Sequence, residues 1–318
     1  MEQSQAANPI PPKKRMRLPG LGWLLDNPVI MKELRGRMRD RRTFILLVFY
    51  LLLISSFVGM VYLLMGDSYA GVTFSPDYRQ TMGKSIFGTV VLIELLLVSF
   101  IGPGLTAGAI TSEREHRTLD LLKTTLLTTR ELVFGKLGAA VIYLFLLIFT
   151  VMPIQSLAFI LGGVGLAEVA ISSVMLVVTA IFFASLGLFF SSLLKRTLAA
   201  TVSAYGSILI SVFSFIFFLF MLTSLISLSY SGNPLSSLHE DILTVIIWMT
   251  ISTNPLLAAV FTEVILIEQQ SIFMSSSSMI GSSSFGMLSP WIIYVATYTT
   301  LTIIVVLISI ALVKRPER

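Results

Sequence analysis

The chain is 318 residues long, 55% hydrophobic and only 12% charged, with a formal net charge of +5 and a mean hydropathy of +0.89. That balance excludes an ordinary soluble domain, and the absence of cysteine excludes disulfides and thiolate metal sites. Apolar runs of about 20 residues without two-residue alternation predict an all-α polytopic bundle in preference to a barrel, because a helix satisfies its own backbone in lipid.

In chain order, residues 1–26 read as a polar, basic tail with no apolar core or cleavage site, so no signal peptide is expected. Residues 27–318 read as a single transmembrane domain. Asn27 can cap a helix whose first position is Pro28, and Ile30, Leu34 and Met38 then share a face. Lys32, Glu33, Arg35, Arg37, Arg39, Arg41 and Arg42 surround that stripe. A basic amphipathic helix of this kind, residues 27–42, is expected in the headgroup plane, its apolar stripe in acyl chains.

Six spans are predicted: Phe44–Met65, Ile86–Ile110, Leu132–Leu161, Leu166–Leu194, Leu198–Leu228 and Trp291–Val313. Twenty of the 22 Lys and Arg residues then fall on one face, with Arg79 and Lys84 on the other. The positive-inside rule makes that face, with both termini, cytoplasmic. Gly102, Gly104, Ala107 and Gly108 form a small-residue stripe on the second span, suited to close helix approach. The run Ile242–Ile267 is apolar enough to span, but Asn254-Pro255 breaks it and Glu240, Asp241, Glu263 and Glu268 flank it. It is read as a re-entrant or interfacial pair on the outer side, the alternative being a seventh span. Residues 271–289, rich in serine, read as a flexible outer loop.

One polar interruption is set between spans, Thr111 to Lys136. Ser112 with Glu115, and Thr128 with Glu131, each have capping-box spacing. A short helix over residues 112–123, a break near TTLLTT and a second helix start are expected. Within the apolar runs Glu94 stands alone as a carboxylate at membrane depth. It predicts either a pathway contact or a hydrogen bond to a neighbouring helix.

Catalytic signatures are missing from the sequence. Gly83-Lys84-Ser85 resembles the end of a phosphate-binding loop, but Tyr78 stands where its first glycine is required. His116 and His239 are predicted on opposite faces, so no histidine pair can hold a metal. Neither a catalytic residue nor a nucleic-acid partner is expected.

The segments NPVIMKELRGRMRDRRTF (Asn27–Phe44) and GPGLTAGAITSEREHRTLDLLKTTLLTTRELVFGK (Gly102–Lys136) resemble the permease subunits of the ATP-binding-cassette type 2 family. They cover about a sixth of the chain, and the six-span layout agrees over the rest. The resemblance implies a connecting helix carrying Asn27, Pro28, Lys32, Glu33, Leu34 and Arg35. It also implies a coupling helix in which Ser112, Glu113, Arg114, Glu115, Arg117, Leu119, Asp120, Leu121 and Leu122 dock on a separate ATPase subunit. ATP and Mg would be bound by that partner, not by this chain. A second permease copy or paralogue would complete an exporter working by alternating access in a bacterial or archaeal plasma membrane. The alternative is an ion-coupled secondary transporter or membrane scaffold that uses Glu94.

Overall fold

A computed structural model describes residues 28–68, 76–118, 128–230, 237–269, 272–276 and 286–314. The described chain begins with helix α1 (Pro28–Arg39), followed after Asp40 by α2 (Arg41–Ser68), α3 (Pro76–Thr106), the short α4 (Thr111–Glu115), α5 (Thr129–Leu161), α6 (Leu166–Leu193) and α7 (Thr197–Tyr230). Helices α8 (Ser237–Thr253) and α9 (Pro255–Gln269) form a bent pair; strands β1 (Met274–Ser276) and β2 (Gly286–Leu288) then lead into α10 (Pro290–Lys314). Six of these helices, α2, α3, α5, α6, α7 and α10, are long and apolar enough to cross a bilayer.

The second span starts ten residues earlier than its hydropathy suggests. Tyr78, Met82, Ile86 and Val90 are all buried, a four-residue stripe that carries α3 beyond the purely apolar run. Arg79 and Lys84 had masked this stripe. Helix α3 contains 31 residues, about 46 Å at helical rise. It therefore outruns a hydrocarbon core of about 30 Å, and α4 projects past the end of the span.

Helix direction follows from named contacts. Leu194, at the end of α6, accepts a bond from Arg114, and Thr197, opening α7, donates to Glu115, so α6 arrives at the α4 end and α7 leaves it. Tyr294 meets Thr179 and Tyr298 packs on Phe182 and Phe183, so α10 runs parallel to α6 and finishes at the α4 end. Between α7 and α10 there is then no net crossing. The bent pair, by its shape a broken span or a re-entrant loop, joins those two ends.

Asn254 makes the bend, which measures 109°. Its Oδ1 accepts from the Leu256 and Leu257 N–H groups at 3.0 and 3.1 Å, capping α9, whose first residue is Pro255. Its Nδ2 donates to the Ser211 carbonyl at 2.9 Å and to Ser214 Oγ at 3.1 Å. The tip is thus pinned to α7, about 21 Å from Thr197 along the helix. A broken backbone at this depth is tolerable because protein groups satisfy it.

Helices α3 and α6 form the centre. A Cβ on Gly187 of α6 would collide with Thr106 Oγ1 and the Pro103 backbone, and one on Gly102 would come within 3.2 Å of the Ala184 nitrogen. Gly104 instead faces α7, where its Cβ would come within 2.6 Å of the Tyr205 hydroxyl. The small-residue stripe therefore serves two neighbours. Thr106 adds a bond from Oγ1 to the Ala184 carbonyl at 2.7 Å. The periphery is apolar but exposed, for example Phe44, Phe49 and Leu52 on α2 and Ile210, Phe217 and Phe220 on α7.

Two expectations need correction. Ile30 is buried in the protein, whereas Met38 is exposed, so the stripe of α1 divides between the bundle and the outside instead of lying wholly in acyl chains. The serine-rich stretch contains ordered structure: β1 and β2 pair antiparallel with Met274 opposite Leu288. Trp248 and Trp291 donate their ring N–H groups to the Leu288 and Ile272 carbonyls, both at 2.8 Å. Residues 277–285 lie outside the described residues.

Candidate functional site

The α4 end gathers most of the residues singled out in the sequence. Lys136, in the second turn of α5 and 5% exposed, donates to Glu113 Oε1 at 2.7 Å and to Glu33 Oε1 at 3.4 Å. One ammonium thus joins α1, α4 and α5. Isolated at the head of an apolar span, a lysine would carry a desolvation penalty; between two carboxylates it is compensated.

Further bonds tie the same end together. Arg37 Nη2 on α1 donates to the Leu105 carbonyl at 2.8 Å, where the chain leaves α3. Arg114 Nη1 donates to the Leu194 carbonyl at 2.7 Å. Glu115 accepts from both the N–H and the hydroxyl of Thr197 at 2.7 Å. Those two bonds, the hydroxyl's first, hold the exposed Glu115 carboxyl below the usual carboxylate range.

The expected capping box at Ser112 and Glu115 does not form. The Ile110 and Thr111 N–H groups instead donate to Ser191 Oγ on α6, at 2.9 and 3.1 Å. The orphan donors of α4 precede Ser112, so a hydroxyl from another helix reaches them and Glu115 is released to cap α7. At Thr128 and Glu131 the reciprocal box is present, with bonds of 2.8 and 3.3 Å.

The short helix stops at Glu115 and does not run continuously over 112–123. Arg117 takes a left-handed conformation, φ 58°, and the Thr118 N–H returns to the Glu113 carbonyl at 2.9 Å, a helix-terminating pattern usually given to glycine. His116, Arg117 and Thr118 are exposed there. Leu119, Asp120, Leu121 and Leu122, and likewise Asn27, lie outside the described residues. On α1, Lys32 and Arg35 are exposed and Leu34 is half-buried.

Glu94 stands apart, completely buried. Tyr50 of α2 donates to its Oε1 at 3.4 Å and Gln155 of α5 to its Oε2 at 3.0 Å. The carboxyl therefore joins three spans. Among the described residues, no three His, Asp or Glu side chains come together as a metal-holding group.

The structure adds Ser191 and Thr197 to the residues named from the sequence and gives Lys136 and Arg37 their bonding partners. A signal existed for Lys136, a cation inside the first turns of an apolar span. None existed for Ser191, one serine among many. With this geometry in place, comparison with known families is decisive: the profile described as ABC-2 family transporter protein matches residues 28–314. The chain belongs to the ABC-2 transporter family. ABC-2 membrane subunits generally pair with ATPase subunits and are typically non-catalytic themselves. No match is found among curated proteins.

Proposed function

We propose that this ABC-2 membrane subunit is the permease half of an exporter, driven by a separate ATPase that seats on the segment from Ser112 to Leu122. The observation that carries the proposal is the wiring of α4. Within a few residues it is bonded to α5 and, through Lys136, to α1, to α6 and to α7. A force applied there reaches four helices at once, as coupling ATP-driven closure to a rocking bundle demands.

The roles within the segment divide by direction. Glu113, Arg114 and Glu115 are spent on internal bonds, so they hold the helix, while Arg117 and its neighbours through Leu122 meet the partner. Leu119, Leu121 and Leu122 supply apolar contact, and Asp120 and Arg117 orient it. ATP and Mg belong to the partner, this chain performs no hydrolysis, and the basic α4 face with both termini is cytoplasmic. Two permease copies or paralogues complete the unit. Glu94, enclosed by Tyr50 and Gln155, acts as a bundle contact on this reading.

The test is co-purification of a co-expressed ATPase subunit with R117D and L121D variants. Aspartate at 117 reverses the charge while tolerating a left-handed backbone. Loss of the ATPase at unchanged thermal stability is the expected result. Retention at the wild-type ratio in the double variant would remove this surface from consideration.

A further inference from the structure

At the opposite end of the bundle, two carboxylates from different elements share a cavity. Glu168 opens α6 and Glu263 lies on α9, the returning limb of the bent pair; with Ser172, Thr262 and apolar walls from α3 they line a space of about 10 Å³. That is roughly room for one water or one small ion.

Several groups there are unspent. Thr262 is 3% exposed and lines the cavity, yet its Oγ1 has no hydrogen-bond partner among the described residues. A buried hydroxyl left so carries a desolvation penalty that a ligand would remove. The Glu263 carboxylate lies over Gly88 of α3, where a Cβ would come within 3.0 Å of Oε2. The bare backbone at Gly88 makes room for it. Glu168 accepts from the Gly165 N–H through Oε2 at 3.0 Å, and Ser172 Oγ donates to the Glu168 carbonyl at 2.7 Å, keeping its lone pairs. Among the described residues neither carboxylate is paired with a lysine or arginine. Arg79 and Lys84 on α3 form no ion pair with them, and the sequence from Thr197 to Val313 contains no lysine or arginine.

We propose that Glu168 and Glu263, with the Ser172 and Thr262 hydroxyls, form a weak site for a divalent hard cation, calcium in the first instance, which clamps α9 to α6. Two carboxyl groups on one cavity without a protein cation suit a doubly charged ion. The donors are all oxygens, and calcium accepts an irregular set of carboxylates, neutral oxygens and waters where magnesium demands an octahedron. Only two of the donors are anionic, fewer than in a tight site, so the dissociation constant belongs at about 10⁻⁴–10⁻³ M. Occupied, the site fixes the returning limb; vacated, like charges push it from α6.

The experiment is thermal unfolding of the purified full chain in detergent, titrated with calcium chloride after chelator treatment and compared with sodium chloride at equal ionic strength. The expected result is a saturable rise in Tm with a midpoint of about 10⁻⁴–10⁻³ M, absent in E263Q and in E168Q and kept in E131Q, which alters a carboxylate at the other end. If neither site variant folds, G88A decides. Its methyl displaces the Glu263 carboxylate without removing the charge, so the midpoint rises about tenfold or more, whereas an unchanged midpoint refutes the site. The proposal is equally overturned by no calcium-dependent shift in the wild type, by a shift that survives E263Q, or by stabilisation from sodium or acidification alone.

Discussion

At the scale of single residues, Lys136 has the largest consequence outside the apolar core. Removing its ammonium leaves the Glu113 and Glu33 carboxylates facing each other, and Glu113 Oε2 is already buried without a hydrogen-bond partner among the described residues. Breaking one side of a fully buried ion pair costs about 3–5 kcal/mol, more than the pair itself contributes over an apolar replacement; with Glu113 and Glu33 22% and 32% exposed, the loss here belongs at the low end of that range. Thermal unfolding should therefore show K136M strongly destabilised. K136M combined with E113M and E33M should recover most of the loss, since the uncompensated charges go with the lysine. A triple variant as unstable as K136M would show that the ammonium is held for some other reason. The sequence exposed the charges of this cluster but not their pairing. Glu33 and Lys136 are 103 positions apart, and nothing local in either segment records that distance.

At the scale of elements, the crossing of α3 and α6 depends on missing side chains. A methyl at Gly187 meets Thr106 and the Pro103 backbone, whereas Gly59 on α2 has nothing within 4 Å of its Cβ position. G187A is expected to cost about 1–3 kcal/mol through overpacking, while G59A should be neutral or slightly stabilising, because alanine suits a helix better than glycine. Melting curves of the two variants check the contrast, and equal behaviour would mean the α3–α6 contact is looser than described. The stripe Gly102, Gly104, Gly108 was visible in the sequence because three-to-four residue spacing is a local property. Its partners were not, since Gly187 sits in an apolar helix whose faces all look alike. The same limit explains the capping of α4: the Ser112–Glu115 spacing was present, but spacing cannot show that Ser191 arrives first. At Asn254-Pro255 local chemistry did suffice. A cap followed by proline restarts a helix wherever it stands, and tertiary contacts fixed only the angle and the depth.

For the whole molecule, the number of spans was legible because crossing lipid requires a long apolar run. Which faces of those runs pack was not, because lipid and protein interior reward the same residues: Phe49 and Phe87 read alike, yet the first is exposed and the second buried. The parity of the chain rests on the bent pair. A chain without cysteine suits single-cysteine labelling. S237C and F273C, on either side of the pair, should react with an impermeant maleimide from the same side of sealed vesicles, and a cysteine after Lys314 from the other. Labelling of S237C and F273C from opposite sides would convert the pair into a seventh span and reverse the C-terminus.

The Ser191 hydroxyl that caps α4 comes from a helix about 80 residues downstream. A five-residue helix lies far below the length that holds itself together in water, so α4 cannot precede its cap. During synthesis the stretch emerges before α6 exists and remains unformed until that span has been inserted and docked. The surface around it is then a late product of folding, present on finished bundles and missing from nascent or truncated ones. Any partner that reads its shape is thereby spared engagement with incomplete chains.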